Sequence, residues 1–123
     1  MNERKLYFDK KVLKYLDKLA SSTKTEDMEL HAEIFKTFDL LMKFGSELKM
    51  PYSRPFRNYK YKGTVLKELR IRSHIQLRIF YFIKDNVIFV LFDYKIKKTQ
   101  KFGPTILDPI FKKMKRIIDE MEG

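Results

Sequence analysis

The sequence predicts one α+β domain over residues 1–123: a twisted antiparallel β-sheet packed against an N-terminal helical hairpin, with a C-terminal helix. Three features carry this expectation. Two amphipathic segments stand early in the chain, three β-branched and aromatic runs follow in close succession, and the last segment repeats apolar residues at helical spacing. The 123 residues, 44% of them hydrophobic, suit a single modest core.

Residues 5–8 form a short strand candidate, and Asp9 offers a side-chain oxygen to cap a helix running to about Ala20, with Val12, Leu16 and Leu19 on one face. After a polar stretch, a longer helix is predicted over residues 26–44, where Leu30, Ile34, Phe38 and Leu41 recur at helical spacing and Gly45 is a natural stop. The short polar link makes the two helices an antiparallel hairpin whose buried face needs a sheet to cover. Residues 46–63 read as irregular, with Pro51, Pro55 and Gly63 as breakers. Strands are predicted over residues 65–72, 76–83 and 87–94, and the short links Ser73-His74 and Lys84-Asp85-Asn86 force antiparallel hairpins. A final helix over residues 105–121 carries Ile106, Ile110, Met114, Ile117 and Met121, despite Pro109.

Charge is distributed unevenly. Residues 1–47 hold nine basic and nine acidic side chains, so the formal net charge of +11 comes entirely from the remaining 18 basic and seven acidic ones. Such a local positive potential attracts a polyanion: nucleic acid, an acidic protein, or both. A membrane surface is the weaker fit, because the C-terminal basic stretch ends in Asp119, Glu120 and Glu122. The absence of cysteine excludes disulfides, thiolate metal sites and cysteine nucleophiles, and fits a reducing compartment. Neither a signal peptide nor an anchor is readable, and the longest apolar run, residues 87–92, falls far short of the roughly 20 residues that span a bilayer.

Alternate residues of a strand share a face, so Arg70 and Arg72 project together, and Arg78 stands on the next strand between Leu77 and Ile79. With those neighbours turned to the core, Arg78 is expected to project from the opposite, basic face, so that Arg78→Ala leaves stability nearly unchanged. The competing reading is a solvated face whose cations pair with Glu68 or Asp93. Lys95, Lys97, Lys98 and Lys101 cluster around Thr99 and Gln100 between a strand and a helix, where loops often carry function. In a second stretch, Tyr52, Arg54, Phe56, Arg57, Tyr59, Lys60, Tyr61 and Lys62 interleave aromatics with cations, as surfaces that stack bases and hold phosphates do. There Phe56 reads as a lid on the core, and the tyrosines stay open. His31 and His74 are too dispersed for a metal site or an acid–base couple, and no Gly-rich phosphate loop or nucleophile elbow is present.

The order of elements, with Glu68-Leu69-Arg70, Leu77-Arg78-Ile79-Phe80-Tyr81-Phe82 and above all Lys97-Lys98-Thr99-Gln100-Lys101, resembles the RelE/ParE toxin superfamily in its phage-type HigB-like branch. The resemblance covers nearly the whole chain in architecture, while its specific motifs lie between residues 68 and 101. It implies a RelE-like fold, a cytoplasmic location, and the toxin role of a type II toxin–antitoxin pair. The toxin would be a ribonuclease acting on mRNA at the ribosome and silenced by a HigA-like helix-turn-helix antitoxin. By motif position, the resemblance implies Arg70 and Arg78 as phosphate and transition-state stabilisers. Lys97 and Lys98 follow, one of them with a depressed pKa as a general base, and Arg72, Lys101, Tyr81 and Tyr94 are weaker RNA contacts. No metal or other cofactor is implied. Two alternatives share the fold: a ParE-like poison of DNA gyrase, and an inactive phage remnant that only binds an antitoxin.

Overall fold

The computed structural model describes residues 3–98 and 101–123, so Thr99 and Gln100, the centre of the basic run, lie outside the described residues. The order is β1 (Lys5–Phe8), α1 (Lys10–Ala20), α2 (Thr25–Phe44), a 3-10 turn (Gly45–Glu47), β2 (Ser53–Tyr61), β3 (Thr64–Arg72), β4 (Gln76–Lys84), β5 (Ile88–Lys97) and α3 (Pro104–Glu122). The strands make one five-stranded sheet in the order β1-β5-β4-β3-β2. This mixed α+β architecture is consistent with a RelE-like fold.

The sheet differs from expectation in two respects. It is mixed and not purely antiparallel: β1 precedes both helices and pairs parallel with β5, Lys5 opposite Ile88 and Phe8 opposite Leu91. Parallel neighbours need a long crossover, and here the whole intervening chain supplies it. The second difference is β2, which occupies a segment read as irregular. Pro55 is tolerated because β2 is an edge strand, where a missing N–H need not break a ladder. Lys62 and Gly63, with φ of 49° and 80°, make the tight turn that returns the chain into β3.

The helices follow from local chemistry. Asp9 caps α1, its Oδ2 accepting from the Lys11 N–H at 3.1 Å. Gly45, at φ 58°, ends α2, and a Cβ there would meet the Arg4 guanidinium at 2.5 Å. That guanidinium donates to the Met42 and Lys43 carbonyls at 2.7 and 3.0 Å, satisfying groups the last turn leaves free. Pro109 removes one helical donor, yet α3 continues through it because Leu107, Ile110, Met114 and Ile118 bury on one stripe.

The two faces of the sheet are covered separately. α1 and α2 bury Val12, Leu16, Leu30, Ile34, Phe38 and Leu41 against Leu69, Ile71, Leu77, Ile79, Tyr81, Phe89 and Leu91. On the other face α3 packs against Leu66, Phe80, Phe82, Val90 and Phe92. Between these layers β5 carries a bulge: Phe80 pairs with Asp93, but Tyr81 pairs with Leu91, which leaves Phe92 unmatched. A one-residue bulge reverses the alternation beyond it. Phe89 and Leu91 face the two N-terminal helices, and after the bulge so does Tyr94, while Lys95 and Lys97 pass to the α3 side beside Arg78 and Gln76.

Tyr81 and Tyr94 therefore do not stand where RNA contact was expected. Tyr81 shares the alternation of Leu77 and Ile79, is fully buried, and shares a hydrogen bond of 2.5 Å with the Ser53 hydroxyl; burial pushes its phenol up to about 12. Tyr94 is half-buried and stacks on Tyr15 of α1, with ring centroids 4.3 Å apart. Tyr81→Phe leaves the buried Ser53 hydroxyl without its partner, so stability should fall by about 1 kcal/mol in denaturant unfolding. A phenylalanine variant as stable as the wild type would show that the hydroxyl pair contributes nothing.

Candidate nucleic-acid interface

α3 shields only the aromatic half of its sheet face. Past Phe80 the same face turns polar, because β3 continues from Leu66 into Glu68, Arg70 and Arg72 while β4 presents Arg78 and Gln76. Arg70 stands directly opposite Arg78, and Arg78 directly opposite Lys95. Three cations in adjacent register positions repel, and the carboxylate of Glu68, one pair further along, offsets part of that repulsion.

Arg78 occupies the expected face but not the expected exposure: it is 0% exposed. Its Nη1 donates to its neighbour's carbonyl at Leu77 (3.2 Å) and its Nη2 to Gln76 Oε1 (3.3 Å). Its Nε lies 3.6 Å from Glu68 Oε1, near enough for coulombic attraction and too far for a hydrogen bond. The Nε atoms of Arg70 and Arg78 are both buried without a hydrogen-bond partner. Arg70 is half-buried, its Nη1 against Met50 Sδ at 3.0 Å. Among the described residues, no carboxylate forms an ion pair with Arg54, Arg70, Arg72, Lys95, Lys97 or Lys101. Asp93, the other carboxylate proposed from sequence, pairs instead with Lys11 of α1.

Burial raises the Glu68 carboxyl above its ordinary 4.5, against the opposing pull of Arg78, Arg70, Arg54 and Lys97. Arg78 is lowered by the same burial, with Glu68 acting against it. Lys97 falls below its ordinary 10.5, through desolvation first and then the charges of Arg78 and Arg70. A carboxyl that keeps its proton longer thus shares a site with an ammonium that gives its proton up more readily.

Glu68 and Lys97 open on a groove of about 470 Å³, and Arg70 and Arg78 stand behind its lining. Glu68 lies in its floor, Arg54, Phe56 and Asn58 of β2 form one wall, and Lys97, Lys101 and Phe102 form the other. The wall from β2 is tied down. Tyr59 donates its hydroxyl to Asp108 of α3 at 2.8 Å and Tyr61 to Asp119 at 2.8 Å, while Lys62 reaches Asp119 and Glu122. Those tyrosines are therefore committed to α3, and Phe56 lies half-buried beside Phe80, ring centroids 6.3 Å apart, with the Arg54 guanidinium over it.

Of the residues named from sequence, Arg70, Arg78 and Lys97 converge on Glu68, and Lys101 lines the groove. Arg72 is exposed at the end of β3, and Lys98 is exposed just after β5. His31 lies tilted against Phe35, ring centroids 4.6 Å apart, and His74 is 3.9 Å from Glu26, both apart from the groove's lining. Glu68 was read as a possible salt-bridge partner and as the start of the Glu68-Leu69-Arg70 motif, with no role in the site, although its alternation with Arg70 and Arg72 already put it on the same face. Asn58 carried no signal at all.

Residues 14–115 match the family described as Phage derived protein Gp49-like (DUF891), and the chain belongs to that family, which is associated with RelE/HigB-like toxins. No curated protein matches the chain.

Because Arg78 is buried against Glu68, the neutral outcome expected for its removal no longer holds. Arg78→Ala should destabilise the protein by about 3 kcal/mol or more, since it strands a buried carboxylate. Arg78→Ala combined with Glu68→Gln should recover part of that loss, and Arg70→Ala, which relieves cation crowding, should unfold near the wild-type denaturant midpoint. Equal stability of Arg78→Ala and wild type would rule out a structural ion pair.

Proposed function

We propose, from membership of this Gp49-like family and its association with RelE/HigB-like toxins, that the protein is the toxin of a toxin–antitoxin pair and a metal-independent endoribonuclease acting on mRNA at the ribosome. The observation that carries the reading is the gathering of Arg70, Arg78 and Lys97 about the buried Glu68 carboxyl at the groove floor. RNA brings its own nucleophile. The 2′-oxygen attacks the adjacent phosphorus and the bond to the 5′-oxygen breaks, leaving a 2′,3′-cyclic phosphate and a 5′-hydroxyl end.

Three tasks fall to the protein: removing the 2′-proton, stabilising the charge on the nonbridging oxygens, and protonating the departing 5′-oxygen. Glu68 takes the first, since a carboxyl with a raised pKa is a stronger base once ionised. The Arg70 guanidinium takes the second with its two-pronged fork, and Arg78 adds charge from below while holding Glu68. Lys97, its pKa lowered, suits the third. Lys98, Lys101 and Arg72 would hold flanking phosphates. The assignment moves the base from a lysine, where the sequence reading put it, to a carboxylate. A HigA-like helix-turn-helix antitoxin would silence the site by laying an acidic segment over it. The cytoplasm is the proposed location, and no described helix is long and apolar enough to cross a membrane.

Mapping of new 5′ ends after incubation with translating ribosomes tests the activity. Intact mRNA together with trapped gyrase–DNA complexes would overturn it in favour of a ParE-like poison. Arg70→Ala should slow single-turnover cleavage by about 10²-fold, and Arg70→Lys should restore only part, because an ammonium keeps the charge and loses the fork. The pH–rate profile should be a bell narrower than ordinary side chains give: Glu68 must be ionised, so the acid limb lies above 4.5, and Lys97 must be protonated, so the alkaline limb lies below 10.5. Glu68→Gln should remove the acid limb, and an unaltered limb would take Glu68 out of the reaction. Co-expression with the product of the neighbouring gene should recover an acid-rich partner, and failure to recover one would count against the toxin–antitoxin role.

A further inference from the structure

The groove extends past its charged floor, and the far end has another chemistry. Pairing between β2 and β3 breaks after Phe56↔Leu66 and resumes at Lys60↔Val65, so Arg57, Asn58 and Tyr59 bulge from the ladder. Arg57 and Asn58 are exposed and line the groove. The bulge is anchored, because Tyr59 donates to Asp108 at 2.8 Å and meets the Phe111 ring edge-on at 5.3 Å. Facing it are Phe102, half-buried with its ring 5.8 Å from that of Phe80, and Gly103, while Leu107 closes the bottom.

We propose that this end of the groove is a nucleobase-reading subsite, in which a base next to the attacked phosphate lies against Phe102 and is read along its edge by the Asn58 amide. The inference rests on the RNA-cleavage reading and adds a specificity-determining residue to it. A phosphate has no use for a wall of Phe102, Pro104 and Leu107, which offers no charge, whereas a base presents an apolar π-face and a polar edge together. Asn58 offers a donor and an acceptor from one planar group, the pattern that matches a base edge and that the lysines and arginines of the floor lack. Size agrees, since about 470 Å³ lies within the range of pockets that take a single small molecule, and the charged floor takes the phosphate of the same nucleotide. Gly103 keeps the entrance open: a Cβ built there meets nothing within 4 Å, and its φ is one that any L-residue adopts.

Two variants and two measurements test the subsite. RNA oligonucleotides identical except for the base on either side of the cleaved bond should be cut with a marked preference by the wild type. Asn58→Ala should lower the ratio of best to worst base roughly tenfold, the scale of a lost base-edge contact. Gly103→Val, which fills the entrance without backbone strain, should fold normally and weaken binding of the preferred base. In parallel, the four nucleoside 3′-monophosphates and inorganic phosphate are titrated while the amide signals of Asn58 and Gly103 are followed by NMR. One nucleotide should bind tighter than phosphate in the wild type and no tighter than phosphate in Asn58→Ala. Base-dependent nucleotide binding that Asn58→Ala abolishes, in a protein that cuts no RNA, would keep the subsite and remove the nuclease. RNA cleavage that is indifferent to the flanking bases, or that Asn58→Ala slows equally for all four, would overturn the subsite and keep the nuclease. Wild-type binding of all four nucleotides no tighter than phosphate would overturn the subsite as well.

Discussion

A single extra residue in β5 decides which face of the sheet receives the lysines at the end of that strand. If the ladder between β4 and β5 ran without the bulge at Phe92, the alternation of Phe89 and Leu91 would carry Lys95 and Lys97 on toward the N-terminal helices. Ammonium groups would then be driven into an apolar layer at a cost no packing there could offset. With the bulge, Tyr94 takes the inward position against Tyr15, and the lysines arrive beside Arg78. The inward place of Tyr94 and the arrival of Lys95 and Lys97 beside Arg78 are thus two consequences of one register shift.

The patch itself is held in a conflict between charge and burial. Arg78 is surrounded by sheet and neighbours, has Arg70 and Lys95 directly across from it, and has one carboxylate to answer them. Such an arrangement stabilises little by itself, since the desolvation of Arg78 and Glu68 offsets much of their attraction. It does leave Arg70 with a guanidinium nitrogen that nothing in the described protein satisfies. Unsatisfied donors and crowded cations are what a bound polyanion would relieve, so the binding proposed for this face would draw on energy the fold already carries.

Much of this was legible in the sequence, and the failures have identifiable causes. Helix boundaries followed from Asp9, Gly45 and the apolar spacing, and three of the strands from their β-branched and aromatic content. β2 was missed because Pro55 and the three-residue bulge at Arg57–Tyr59 erase the period of two that marks a strand. Tyr94 was named from motif position alone, and the bulge at Phe92, which no sequence pattern announces, turns it toward the N-terminal helices. For Tyr81 the parity was available, since it matches Leu77 and Ile79, and motif position outweighed it. The burial of Arg78 and the perturbed carboxyl of Glu68 are tertiary: they depend on which strands lie side by side and on how far α3 reaches across the sheet.

The pairing of β1 with β5 bears on the order in which the molecule can be built during synthesis. The first strand leaves the ribosome with its helices long before its neighbour exists, and Lys5 waits for Ile88. A contact of such long sequence separation forms late, after the local hairpins of β2 to β5 and the α1–α2 pair. The groove is completed later still, since Lys101 and α3 follow β5. A nascent chain therefore carries all five strands and both N-terminal helices before it carries a finished cationic site, because Lys101 to Leu107 of the groove are made after them.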